Sequence, residues 1–155
     1  MNSDENSKLF VYFSDHGAPG HLLFPNDVLY ADELNQTLIE MRQAKKFSEM
    51  FIFLEACESG SMFHDVDLAS LNIWAMTATN ATAPSWGTYC YPHDTVKDQN
   101  MMTCLGDLFS VSWMEFLENN QKSLDELTFE QMYESIRQRA QEKSQVLKFG
   151  QENLA

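Results

Sequence analysis

The chain is poor in basic residues and has no long apolar run. Its 155 residues include 10 Lys and Arg against 23 Asp and Glu, which gives a net charge of −13. Because nucleic-acid binding needs clustered basic side chains, this balance excludes that class of protein. No apolar stretch reaches the roughly 18 residues of a membrane span, so we expect no membrane partner either.

Several chemical motifs are also missing. No set of His, Cys, Asp and Glu has metal-ligand spacing, and there is no glycine-rich phosphate loop or Gly-x-Ser-x-Gly turn. We therefore predict no metal and no cofactor. Residues 1–8 are polar and acidic, without the basic and apolar regions of a signal peptide. The three cysteines form an odd set, which in an oxidising compartment is most simply one pair and one free thiol.

Two short apolar runs each break into polar residues where a reactive side chain stands. Residues 11–17 (VYFSDHG) contain His16, and residues 51–60 (FIFLEACESG) contain Cys57. Runs of this length are typical of buried parallel strands, whose carboxyl ends meet at one edge of a sheet. An imidazole there can hold a thiol as its nucleophilic thiolate. The pair predicts a cysteine hydrolase; a buried structural cysteine and a turn histidine are the alternatives.

The hydrophobic pattern predicts a single α/β domain, because the spacing of strand, helix and strand implies parallel crossovers. The predicted strands are Leu9–Ser14, Met50–Leu54 and Asn72–Thr77, with His21–Phe24 as a minor strand or hairpin arm. The predicted helices are Ala31–Lys46, a segment around Ser110–Glu115, and a last helix opened by a capping box of Thr128 and Gln131. Residues 80–103 are predicted to form a long surface excursion, and Gly150 to mark a loss of order.

Two carboxylates have positions that suit substrate selection. Glu55 stands two residues before Cys57, which places both on the same face of a strand, and Asp107 follows the long excursion. As lining of a pocket, they provide acceptors for the NH2 group of an uncharged amide side chain. The alternative interpretation is that both are surface carboxylates.

Seven short motifs along the chain occur in the order found in one peptidase family. They are YFSDHG at 12–17, LFPN at 23–26, EACESGSM at 55–62, ATN at 78–80, SWGTYC at 85–90, TCLGD at 103–107 and SVSWME at 110–115. On these motifs the chain resembles the legumains, the asparaginyl endopeptidases of the caspase-like cysteine peptidase clan. The resemblance implies a three-layer α/β/α fold with a mostly parallel sheet. It also implies cleavage after Asn, or after Asp at acid pH, through an acyl-thioester.

The resemblance also implies roles for individual residues. His16 is the general base, Cys57 the nucleophile, and the backbone N–H groups of Gly17 and Cys57 form the oxyanion hole. Asp15 matches an aspartate that legumains can convert to a succinimide. The remaining implied roles are substrate binding by Glu55, Ser85, Trp86 and Asp107, and a disulfide between Cys90 and Cys104.

The family's protease domain begins upstream of the first motif, with strands that carry an asparagine orienting the His and an arginine of the specificity pocket. We therefore expect residues 1–8 to be a disordered start, residues 9–150 a partial legumain-like peptidase domain without its N-terminal strands, and residues 151–155 a tail. An inactive truncated fragment or pseudoenzyme of the same family is the alternative function. A caspase-type enzyme cleaving after Asp is less favoured, because such pockets use arginines.

The implied partners are peptide or protein substrates and cystatin-type inhibitors. By the same resemblance the location is lysosomal, vacuolar or secreted. Two glycosylation sequons, at Asn35 and Asn80, agree with a secretory route.

Overall fold

The computed structural model describes residues 3–120 and 126–150. Its α-helices are α1 (Ala31–Gln43), α2 (Leu108–Asn119) and α3 (Phe129–Ala140). Its strands are β1 (Lys8–Ser14), β2 (Gly17–Ala18), β3 (His21–Phe24), β4 (Asp27–Tyr30), β5 (Glu49–Glu55), β6 (Ile73–Thr77), β7 (Gly87–Thr88), β8 (Thr95–Val96), β9 (Gln99–Asn100), β10 (Gly106–Asp107) and β11 (Leu147–Gly150). Two short 3-10 turns, Ser59–Phe63 and Ala69–Leu71, lie between β5 and β6.

The main sheet has the order β1-β5-β6-β11. Strands β1, β5 and β6 run parallel, and β11 is antiparallel to β6. Lys8 pairs with Glu49 and Ser14 with Glu55, so β1 and β5 end at the same level. The three strands predicted from the apolar runs are confirmed, with β1 and β5 slightly longer than expected and β6 one residue shorter. The mostly parallel sheet is therefore as predicted.

Helices cover both faces of this sheet because β5 is apolar on both of its faces. Met50, Ile52 and Leu54 pack into one buried cluster, which includes Leu38 of α1. The alternate residues of β5 pack into a second cluster formed with α2 and α3, whose buried members are Phe51, Phe53, Trp74, Met76, Ala78, Leu108, Phe109, Met132, Ile136, Ala140 and Val146. Burial of each large side chain contributes roughly 1.5–3 kcal/mol. The three-layer arrangement is the physical result of this two-sided burial.

Helix α1 ends at Gln43, three residues before the predicted end at Lys46. The backbone N–H of Lys46 donates to the Met41 carbonyl at 3.0 Å, and that of Lys45 to the Arg42 carbonyl at 3.1 Å. Lys45 has a φ of 53°. This is a Schellman motif, which usually carries glycine at the left-handed position. A lysine occupies that position here, so the sequence has no glycine to mark the end of the helix.

The region from 80 to 120 is more ordered than predicted. The excursion contains β7 and a small hairpin of β8 and β9, and β10 follows directly after it. Helix α2 is also longer than the segment expected around Ser110–Glu115. The capping box of α3 is confirmed, since Thr128 accepts a hydrogen bond from the Gln131 backbone N–H.

The two ends of the described chain differ from expectation. Gly150 does not mark a loss of order, because it closes β11 opposite Trp74 of β6. Residues 3–8, expected to be disordered, contain a turn between Asp4 and Ser7 and lead into β1. The predicted tail at 151–155 lies outside the described residues. Within the described part of the chain, no helix is both long enough and apolar enough to span a bilayer.

We predict that Gly150→Ala destabilises the protein more than Gly20→Ala. Both glycines have positive φ angles, of 91° and 77°, so each alanine adds backbone strain of about 1–2 kcal/mol. At Gly150 the new Cβ would also lie 1.9 Å from the Ile73 carbonyl oxygen, whereas nothing lies within 4 Å at Gly20. Urea unfolding of both variants measures the difference. Equal losses would contradict the described pairing of β11 with β6.

Candidate active site

The first part of the site follows β1. The Asp15 N–H donates to the Glu55 carbonyl at 3.2 Å, which extends the pairing of β1 with β5 by one residue. The His16 carbonyl then accepts from the Leu23 N–H at 2.9 Å, and its N–H donates to Asp15 Oδ1 at 2.7 Å. These bonds fix the backbone of His16 between the main sheet and the β3–β4 hairpin. Its imidazole is exposed and makes no hydrogen bond within residues 3–120 and 126–150.

Gly17 brings this segment against the one that carries the thiol. A Cβ at Gly17 would lie 2.6 Å from the Cys57 carbonyl oxygen and 3.0 Å from the Ala56 Cβ. Only glycine permits so close an approach between two backbones. The structure therefore places the His16–Gly17 segment beside Cys57.

Cys57 is half-buried at the end of β5 and contacts the excursion loop on its other side. The Ser85 N–H donates to Cys57 Sγ at 3.3 Å, and the Ser85 hydroxyl lies 3.7 Å from the same sulfur. The next residue, Glu58, donates its N–H to the Ala83 carbonyl at 2.9 Å. Two hydrogen bonds thus hold residues 83–85 next to Cys57, whose backbone carbonyl faces Gly17 and whose sulfur contacts Ser85.

Glu55 is buried, with 2% of its surface exposed, and caps the start of α2. Its Oε2 accepts from the Ser110 N–H at 2.7 Å, while Oε1 has no partner among the described residues. Burial raises the pKa of Glu55 from 4.5 to about 7, and the charge of Asp107 acts in the same direction. Sequence reasoning missed Ser110, because its contact with Glu55 exists only once α2 has docked on the sheet.

Trp86 and Asp107 lie on two short segments that pair with each other. Gly87 of β7 is opposite Asp107 of β10, and the Trp86 carbonyl accepts from the Leu108 N–H at 2.8 Å. The Trp86 side chain is 48% exposed. Asp107 is exposed at the N-cap of α2, where its side chain makes no capping hydrogen bond. These two residues therefore flank the site from the α2 side.

A disulfide joins Cys90 to Cys104, the pairing that the resemblance implies. It closes the excursion between β7 and β10 across a separation of 14 residues. A loop of that length restricts the unfolded chain by about 3 kcal/mol in the chain-entropy model. Cys57 is the free thiol among the described residues. Within the same ranges, no group of three or more His, Cys, Asp and Glu side chains could hold a metal ion.

Three chemically useful groups lie at the carboxyl edge of the sheet. A thiol lies after a central parallel strand, a histidine lies after the neighbouring strand, and a buried carboxyl group lies two residues before the thiol. The sheet order and the helices on both faces, together with this strand-end thiol, define a caspase-like α/β protein.

Comparison with known proteins identifies the family within that class. The Peptidase C13 family matches residues 1–155, and the chain belongs to this family of cysteine peptidases. It is 39% identical over 159 residues to the vacuolar-processing enzyme delta-isozyme of Arabidopsis thaliana, covering 99% of this chain and 34% of the relative. It is 38% identical over 161 residues to legumain of Canavalia ensiformis, covering 99% of this chain and 34% of that relative. It is 38% identical over 150 residues to hemoglobinase of Schistosoma mansoni, covering 97% of this chain and 33% of that relative. The chain thus spans about a third of the length of these curated relatives.

We predict that Glu55 makes stability depend on pH in the near-neutral range. Its pKa in the folded protein, about 7, exceeds the ordinary 4.5, so the folded state retains a proton that the unfolded state loses. This contribution to the free energy of unfolding is fully present below pH 4.5 and is lost as the pH rises through about 7. The loss amounts to at most about 3 kcal/mol. Urea unfolding as a function of pH, with wild type and Glu55→Gln compared, measures this contribution.

The substituted amide in Glu55→Gln does not titrate, so that variant should lose less stability than wild type between the two pKa values. Glu118→Gln, at an exposed position of α2, is the matched control and should follow wild type. Parallel profiles for wild type and Glu55→Gln would contradict the raised pKa.

Proposed function

We propose that this protein is a cysteine endopeptidase that cleaves after Asn, with His16 and Cys57 as its catalytic dyad. One observation supports the proposal: the register of β1 and β5 packs Gly17, the residue after His16, against the backbone of Cys57. Membership of the Peptidase C13 family supports the same chemistry.

The proposed reaction has two stages. His16 accepts the Cys57 proton, and the thiolate attacks the carbonyl carbon of the scissile peptide. His16 then returns the proton to the leaving amine as the C–N bond breaks, which leaves an acyl-thioester on Cys57. A water molecule activated by His16 hydrolyses the thioester and restores the thiol. The N–H groups of Gly17 and Cys57 are the proposed donors to the negative oxygen in both stages.

The proposed selection of Asn rests on two carboxyl groups, that of buried Glu55 at the end of β5 and that of Asp107 at the start of α2. In the proposed pocket Glu55 and Asp107 accept hydrogen bonds from the amide NH2 of the substrate side chain. Burial favours the neutral form of Glu55, so at acid pH the pocket can also accept a substrate carboxyl group, which is the proposed route to cleavage after Asp. An arginine substrate is disfavoured because the neutral Glu55 does not balance its charge.

The substrate backbone is proposed to pair along Ser85 and Trp86. One edge of β7 is occupied by β10, and Ser85 already touches the nucleophile. A substrate strand added to the other edge would place its scissile carbonyl beside Cys57.

A succinimide is also proposed at Asp15, whose carboxyl group contacts the next backbone nitrogen. Its Oδ1 lies 2.7 Å from the His16 backbone nitrogen, the atom that would attack the Asp15 carboxyl carbon with loss of water. The ring would include the peptide immediately before the catalytic histidine.

The names of the relatives support a proposed cellular location for the protein. The matched relatives include vacuolar-processing enzymes, and we propose a vacuolar or lysosomal location on that ground. Peptides or proteins are the proposed substrates, and cystatin-type inhibitors the proposed regulators.

An inactive chain is the second candidate, and one observation favours it. The His16 imidazole has no hydrogen-bond partner in the described part of the chain, whereas a catalytic histidine is normally oriented by a third group. This candidate predicts a folded protein with an intact thiol and no turnover.

We predict that the wild-type chain releases the fluorophore from a peptide ending in Asn, and that Cys57→Ala and His16→Ala each abolish the release. The cause is loss of the nucleophile in one variant and of the base in the other. Parallel peptides ending in Asp and Arg measure selectivity at acid and neutral pH, and we expect Asn to be preferred.

His64→Ala is the matched control for the histidine substitution, because His64 is exposed after the 3-10 turn that follows β5. It should retain activity. Equal release from wild type and Cys57→Ala would contradict the proposed nucleophile. A folded wild type with no release from any peptide would favour the inactive chain.

A further inference from the structure

Tyr89, one residue beyond β7, has an unusual backbone conformation. Its φ is 53°, in the left-handed region, which costs a side chain of this size roughly 1–2 kcal/mol. The next residue, Cys90, is tied to Cys104 by the disulfide. A residue keeps such a conformation only when its surroundings hold it there, and such positions cluster at functional sites.

The Tyr89 side chain is held by a pair of charged residues from two helices. Its hydroxyl donates to Glu115 Oε1 on α2. Arg139 on α3 donates to Glu115 Oε2 at 2.5 Å and approaches the Tyr89 hydroxyl at 3.4 Å. The bond from Tyr89 is the main cause of a lowered pKa for Glu115, with Arg139 next. We call Tyr89, Glu115 and Arg139 the Tyr89 clasp.

The backbone around the clasp leads directly to the proposed substrate strand. The Leu105 N–H donates to the Tyr89 carbonyl at 3.2 Å, and the Leu108 N–H to the Trp86 carbonyl at 2.8 Å. Residues 86–89 are therefore attached to Leu105 at one end and to the first residue of α2 at the other, and Ser85 just before them contacts Cys57. The segment from Ser85 to Tyr89 thus connects the thiol to the residue with the unusual conformation.

Helix α2 connects the clasp to the other side of the proposed pocket. Its first turn donates the Ser110 N–H to buried Glu55, and Glu115 lies further along the same helix. One rigid element thus sets the position of the pocket carboxyl group and, through Tyr89, the position of β7.

We propose that the Tyr89 clasp positions the strand that binds the substrate backbone, so that Tyr89, Glu115 and Arg139 are positioning residues for peptide binding. The inference rests on the proposed function for its substrate. All three side chains are partly exposed, with Tyr89 at 40%. Exposed ion pairs of this kind add little to global stability. The effect of the clasp is therefore expected in substrate binding and local order rather than in the unfolding transition.

We predict that Tyr89→Phe raises KM for the Asn peptide about fivefold, the effect of one lost hydrogen bond, and changes kcat less. Tyr91→Phe is the matched control, because Tyr91 is two residues away and 75% exposed. Glu115→Gln retains an acceptor for Tyr89 but loses the ion pair, so its KM should lie between wild type and Tyr89→Phe.

Amide hydrogen exchange gives a second readout that does not need activity. In Tyr89→Phe the amides of Leu105 and Leu108 should exchange faster than in wild type and in Tyr91→Phe, while those of β5 remain protected. If Tyr89→Phe matches Tyr91→Phe in both KM and exchange, the positioning role is wrong. If the wild type does not cleave any peptide, the proposed function fails, and the exchange comparison alone decides whether the clasp orders β7.

Discussion

The parallel pairing of β1 with β5 is the interaction on which the rest of the site depends. Its register brings both strands to an end at the same level, Ser14 opposite Glu55. The chain then turns away at His16 on one strand and at Cys57 on the other, and the missing side chain of Gly17 lets the two segments touch. A slip of the pairing by one residue would turn every side chain of β1 to the opposite face. Leu9 and Phe13 pack against the cluster that contains Leu38, and the rings of Phe10 and Tyr12 contact Trp113 on the opposite face. These side-chain contacts oppose such a slip.

Helix α2 is the second element that organises the site. It begins where β10 ends, and its first turn binds the buried Glu55 carboxyl group. The N-terminus of a helix favours a negative charge, whereas burial favours the neutral acid. Burial is the larger effect, and the pKa of Glu55 is raised to about 7. The same helix holds Tyr89 through Glu115, so the proposed pocket and the proposed substrate strand share one support.

Most of what depends on local pattern could be predicted from the sequence. Apolar runs located β1, β5 and β6, and the capping box located α3, because each signal lies within the element itself. The resemblance to the legumains predicted the disulfide between Cys90 and Cys104. Features that depend on tertiary contact were missed: β11 contains Lys148 and Gly150 and exists through its pairing with β6. The contact of Glu55 with Ser110 likewise joins residues 55 apart in sequence. The early end of α1 was missed because Lys45 takes a conformation usually reserved for glycine.

The most direct test of this account measures whether positions 16 and 57 lie side by side. A His16→Cys variant, treated with a short thiol cross-linker such as dibromobimane, should form an intramolecular link to Cys57, identified by mass spectrometry of the joined peptides. Lys8→Cys is the control, because Lys8 lies at the start of β1, about 20 Å from the end of that strand. This variant should form no link to Cys57. Absence of the link in folded His16→Cys, or equal linking in both variants, would contradict the register on which the proposed dyad rests.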